Sequence, residues 1–82
     1  MVQDELLHRI TADPRIFGGK PVVRGLRISV EMVLGLLAAG ESAEVILDDY
    51  PELEPADIRA CLAYAHAIIA GEEIEEVQVA VA

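Results

Sequence analysis

Apolar residues recur at helical spacing through the middle of the chain and alternate near its end. Val30, Val33, Leu34 and Leu37 fall at i, i+3, i+4 and i+7, which puts them on one face of a helix. Ser29 ahead of them is a favoured N-cap, Glu31 sits in the first turn where the helix dipole favours an anion, and Gly40 follows as a C′ residue. Ser42 restarts the pattern, with Glu44 in the first turn, Val45, Ile46 and Tyr50 available to a core, and Pro51 as the stop. Pro55 at a first helical position and Asp57 two residues on announce a third helix, although Glu54 is a weaker cap than Ser, Thr, Asp or Asn. Its apolar positions, Ile58, Cys61, Leu62, Ala65, Ile68 and Ile69, predict one buried stripe closed by Gly71. Beyond it Val77, Val79 and Val81 alternate, the period of a strand with one apolar face.

The first third is patterned differently. Leu6 and Leu7 are the only apolar anchors of a segment, Met1 to His8, that predicts no more than a frayed turn. Arg9-Ile10-Thr11 has strand character and Asp13-Pro14 starts a turn. Pro21-Val22-Val23 and Leu26-Arg27-Ile28 flank Arg24-Gly25, a two-residue spacing that suits a hairpin with glycine at positive φ. On that register Arg24 points outward, with Lys20 and Arg27 on the arms. The expected architecture is mainly α: an N-terminal β-hairpin and a three-helix, helix-turn-helix bundle in one domain (1–71), followed by an acidic extension (72–82) that forms a strand. The extension is expected to be held by another copy or by the body of the domain.

Composition changes the picture in one respect. Of the 82 residues 54% are hydrophobic, twelve of them alanines, whereas a chain this short buries only roughly 60–65% of its unfolded surface. The surplus predicts a homo-oligomer or a covering partner. The single cysteine, Cys61, excludes an internal disulfide, and the sequence shows neither a signal-peptide pattern nor an apolar run near the roughly 20 residues that span a bilayer. A cytoplasmic protein without membrane contact is expected.

Charge is split along the chain. Residues 1–27 carry five bases against three acids, and residues 28–82 carry Arg59 against twelve acids, within a net charge of −9. Nucleic acid, if touched, is touched by the N-terminal third.

The block Ile10, Pro14, Gly18-Gly19-Lys20-Pro21-Val22-Val23-Arg24-Gly25, Arg27-Ile28 and Val30 is followed by Gly40, Glu44, Ile46-Leu47, Tyr50-Pro51 and Leu53. Asp57-Ile58-Arg59-Ala60 comes after it. Over about residues 8–72 this arrangement resembles the bacterial and archaeal family catalogued as domain of unknown function 433. Leu26 and Glu54 stand where threonine is commoner in that family. The resemblance implies a homeodomain-like three-helix fold with an N-terminal hairpin, and a frequent role as antitoxin beside a PIN-like ribonuclease toxin.

Each candidate residue has a plainer reading beside the functional one. Arg15, Lys20, Arg24, Arg27 and Arg59 are the candidate DNA contacts. Pairing with the chain's own acids is favoured over phosphate contact, because the domain lacks a basic patch. Ile74, Val77, Val79 and Val81 are the candidate partner-binding residues, weighed equally against a strand exchanged between identical subunits. Gly18-Gly19-Lys20 lacks the spacing, the following Ser/Thr and the helix of a phosphate loop. Cys61 and His66 at i, i+5 share a helix face too poorly for metal ligation or a thiolate pair, and His8 lies far from both in sequence. No cofactor, metal or catalytic residue is expected. The expected function is that of an antitoxin-like protein that neutralises a PIN-like ribonuclease toxin and weakly binds its own operator DNA. The alternatives are a stand-alone helix-turn-helix regulator and an oligomeric interaction module.

Overall fold

A computed structural model describes the backbone of residues 2–71 and 78–79. The chain runs α1 (Val2–Leu7), β1 (Ile10–Ala12), a 3-10 turn (Phe17–Gly19), β2 (Val22–Val23), α2 (Val30–Ala38), α3 (Ala43–Asp49), α4 (Pro55–Ile69) and β3 (Gln78–Val79). The mainly helical architecture with an N-terminal hairpin is therefore as expected. A real helix stands at α1 where only a frayed turn was predicted, and it packs along α4. That packing supplies the stability that six residues lack by themselves.

The hairpin turn forms where the spacing put it. Arg24 and Gly25 both take positive φ, +45° and +72°, as a two-residue I′ turn demands, and the Val23 carbonyl accepts the Leu26 N–H at 2.7 Å. The returning arm is irregular: Val23 N–H donates to the Ile28 carbonyl, and Val22 bridges Ser29. The regular partner of β2 is β1, antiparallel, with Ile10 opposite Val23 and Thr11 opposite Val22. β1 is the centre of a three-stranded sheet of order β2-β1-β3. β3 joins it in parallel, Thr11 opposite Gln78 and Ala12 opposite Val79. The described part of the C-terminal strand is thus held by the body of its own domain.

Ser29 and Ser42 cap α2 and α3 as their positions predict, accepting N–H bonds from Met32 (2.9 Å) and Val45 (3.2 Å). At the start of α4 Asp57 reaches back and accepts the Glu54 N–H at 2.7 Å, half of a capping box. The core between sheet and helices is small and largely aliphatic, with Ile10, Val23, Val33, Ile46 and Cys61 at or near zero exposure.

One stripe is placed differently from its prediction. On α4 the buried positions are Asp57, Ile58, Ala60, Cys61, Ala63 and Ala67. Leu62, Ile68 and Ile69 are exposed by 49%, 53% and 86%. The helix is rotated so that Ala60, Ala63 and Ala67 face inward, and small side chains let neighbouring elements approach closely where larger ones would hold them off.

Candidate functional site

The fold converges on Asp57. Its side chain is fully buried although it is an acid, and a buried carboxylate is tolerable only when paired and hydrogen-bonded. Three segments supply the partners. Arg9, entering β1, donates from Nη1 to Asp57 Oδ1 at 2.9 Å and to Glu54 Oε1 at 2.9 Å. Arg24, from the I′ turn, donates from Nη2 to Asp57 Oδ2 at 2.8 Å and from Nε to Oδ1 at 3.1 Å, in the fork geometry a guanidinium suits. The same Nη2 donates to the Glu52 carbonyl at 2.7 Å. With the Glu54 N–H, Asp57 is saturated, and among the described residues no buried side-chain polar atom lacks a partner.

The turn is docked from the strand side as well. The Arg9 carbonyl accepts the Arg24 N–H at 2.8 Å, and Thr11 Oγ1 accepts the Gly25 N–H at 2.9 Å. Arg24 is a non-glycine residue held at φ +45°, a left-handed conformation that costs roughly 1–2 kcal/mol. Its bonds to Asp57 and Glu52 offset that cost. Burial pushes the Asp57 carboxyl up, but the Arg24, Glu54 N–H and Arg9 bonds outweigh it and hold the group below the ordinary aspartate range. Arg24 is raised by its bond to Asp57, and Arg9 by its bonds to Glu54 and Asp57. This cluster of ion pairs fixes the hairpin, the α3–α4 turn and α4 to one another.

This arrangement overturns one prediction. Arg24 does not point outward from the turn but folds inward onto Asp57. Of the other candidate DNA contacts, Arg15 forks onto Asp13 at 2.9 and 3.1 Å and holds that carboxyl low, and Lys20 meets Glu31 at 2.9 Å in the open. Arg27 and Arg59 are exposed and make no ion pair among the described residues. The five bases are therefore not brought together as one surface. Val79 lies in β3, while Ile74, Val77 and Val81 lie outside the described residues.

Arg9 was missed as a site residue. Its only signal in the sequence is a base beside Ile10, the apolar residue that opens the strand. Gly18-Gly19-Lys20 leads into β2 and not into a helix, in keeping with a turn. Burial pushes the Cys61 thiol up to about 12, with the Asp57 charge adding to it, so that sulfur stays protonated. Among the described residues no three of His, Cys, Asp and Glu gather around a point that could hold a metal ion, and no helix is long and apolar enough to cross a membrane.

A family model described as "Protein of unknown function (DUF433)" matches residues 10–65, a span that holds Arg24, Glu54 and Asp57 and ends before Ile68 and Ile69. "Uncharacterized protein y4eO" of Sinorhizobium fredii (strain NBRC 101917 / NGR234) is 45% identical over 58 residues, 71% of this chain and 26% of that protein. The chain thus spans about a quarter of that relative's length. No solved structure matches it.

Proposed function

The chain belongs to the family described as protein of unknown function DUF433, and on that footing we propose that it is an antitoxin-like binding protein. It engages and neutralises a basic, PIN-like ribonuclease toxin and performs no chemistry of its own. The observation that carries the reading is the fate of its bases. Four of the six, Arg9, Arg15, Lys20 and Arg24, are tied to the chain's own acids. On a chain of net charge −9, the exposed acids Glu41, Glu44, Asp48, Asp49 and Glu52 have no ion-pair partner among the described residues. Such a surface attracts a basic polypeptide and repels phosphate. A nuclease must keep a basic groove for RNA, and an acidic protein seated there excludes the substrate.

Operator binding is at most a minor activity on this reading. The two bases outside ion pairs among the described residues, Arg27 and Arg59, supply a salt dependence of only about two phosphate contacts, each worth a log–log slope of roughly −0.9. The test is purification of the full chain with its companions from its source, followed by a ribonuclease assay. The expected result is a basic polypeptide whose ribonuclease activity falls as equimolar chain is added. A tight mobility shift of duplex DNA at about 150 mM salt, with no such polypeptide present, would replace this reading by that of a stand-alone regulator.

A further inference from the structure

The outward side of α3 carries charge where it harms the helix itself. Ile46 is the buried residue of α3, and the helical period puts Glu44 and Asp48 at the middle of the opposite side, with Val45 on one flank and Leu47 on the other. These four line a shallow, open depression of about 440 Å³, and Val45 is 43% exposed. Glu44 and Asp48 are like charges one turn apart, and Asp48 and Asp49 stand at the end of a helix that holds no base in its last turn. Both placements are unfavourable, because like charges at i, i+4 repel and acids at a helix C-terminus oppose the dipole. Between Gly40 and Pro55 the chain carries six acids and no base, and among the described residues only Glu54 of the six is paired, with Arg9. Ser42 obeys the local rules of a helix start; the acids of α3 break those of its face and its end, and such breaks gather at functional surfaces.

We propose, resting on the antitoxin-like reading above, that this side of α3 is the surface on which the basic partner polypeptide is seated. The occupant is a segment with two lysines or arginines about one helical turn apart and an aliphatic side chain beside them. Its bases meet Glu44 and Asp48, and its aliphatic group covers Val45 and Leu47. Charge selects this occupant over the others. The α3 of a second copy brings the same acids and is repelled, as is a nucleic-acid phosphate. An uncharged apolar segment would bury Glu44 and Asp48 with no partner, at the full cost of their lost hydration. Only a basic segment both covers the apolar flanks and relieves the repulsion within the helix.

The test is titration of the isotope-labelled full chain with a synthetic lysine-leucine peptide of amphipathic helical pattern, followed by amide NMR shifts. The largest shifts are expected over residues 41–52. Asp48→Lys is expected to weaken binding about tenfold and yet to raise the melting temperature by about 3 °C, because it sets a base four residues after Glu44 and in the last turn. Val45→Gln, which leaves the charge unaltered, is expected to weaken binding about fivefold. Glu5→Lys makes the same change of charge at an exposed acid of α1 and should weaken it far less. No binding, shifts centred on α2, α4 or residues 72–82, or equal weakening by Asp48→Lys and Glu5→Lys would each overturn the proposal. In the ribonuclease assay, a basic polypeptide neutralised as well by Asp48→Lys as by the unaltered chain removes this surface and leaves the antitoxin-like reading standing. Peptide binding on α3, with no basic ribonuclease among the chain's companions, keeps the surface and removes the reading.

Discussion

The two ends of α4 invert the ordinary rule of burial. At its first turn a carboxylate, Asp57, is wholly enclosed, and at its last turn an isoleucine, Ile69, is 86% exposed. The difference lies in partners. Asp57 finds two guanidinium groups and a backbone N–H at 3.1 Å or less, so its lost hydration is replaced. Ile69 finds no inward surface, because Ala60, Ala63 and Ala67 occupy the side of α4 that faces the sheet and α1. What goes inside is therefore decided by whether a group can be satisfied there, and not by its polarity alone. One end of the helix is committed to holding the molecule together; the other is available to something outside it.

That contrast can be broken most severely at the buried end. Asp57→Ala leaves two guanidinium groups facing each other across a small void, and removing one partner of a buried pair costs about 3–5 kcal/mol. Because Arg9 and Arg24 are about one-third exposed and can rehydrate, the lower end, about 3 kcal/mol, is expected in urea unfolding. Next in size is Arg24→Ala, expected to cost about 2 kcal/mol by losing charge-assisted bonds while keeping a side chain at positive φ. Arg24→Gly should cost about 1 kcal/mol less than Arg24→Ala, because glycine relieves the left-handed strain. Equal losses in the two variants would show that φ +45° is not strained here.

Acid should act on the same end. Asp57 and Asp13 are both held below the ordinary aspartate range in the folded chain, Asp57 against its burial and Asp13 by its bonds from Arg15. A depressed folded pKa contributes stability that is present above the unfolded value of about 3.9 and is lost as pH falls through the folded value. Stability should be level from about pH 5 to 7 and fall below about pH 4. Asp57→Asn should flatten much of that fall in thermal melts taken across the range. The smallest effect belongs to the exposed end: Ile69→Ala should change monomer stability by less than about 0.5 kcal/mol. A larger loss would mean that Ile69 is packed within its own chain and that the two ends are alike after all.

The elements legible in advance are those set by neighbours in sequence. Ser29 and Ser42 cap the helices they precede because the cap bond spans three residues, and Arg24-Gly25 turns where the spacing required because the turn closes within four. The inward side chain of Arg24 was not legible in the same way. Its direction depends on Asp57, thirty-three residues later, and an arginine beside a glycine looks the same whether it faces water or a carboxylate. The stripe on α4 was misjudged for a related reason. Leu62, Ile68 and Ile69 are apolar at helical spacing, and Ala60, Ala63 and Ala67 are as regularly spaced on the other side. Nothing local says which set faces the sheet.

By itself, then, the order of residues determined where helices start and stop, where the chain doubles back, and that the fold is mainly helical, because caps, turns and periodicity act over a few residues through backbone hydrogen bonds and side-chain rotamers. Only the tertiary structure decided the rotation of α4, the parallel docking of Gln78–Val79 on β1, and the union of Arg9, Arg24 and Asp57. These are choices among distant partners of similar local merit, settled by the cost of leaving a charge unpaired and by how closely small side chains let elements approach.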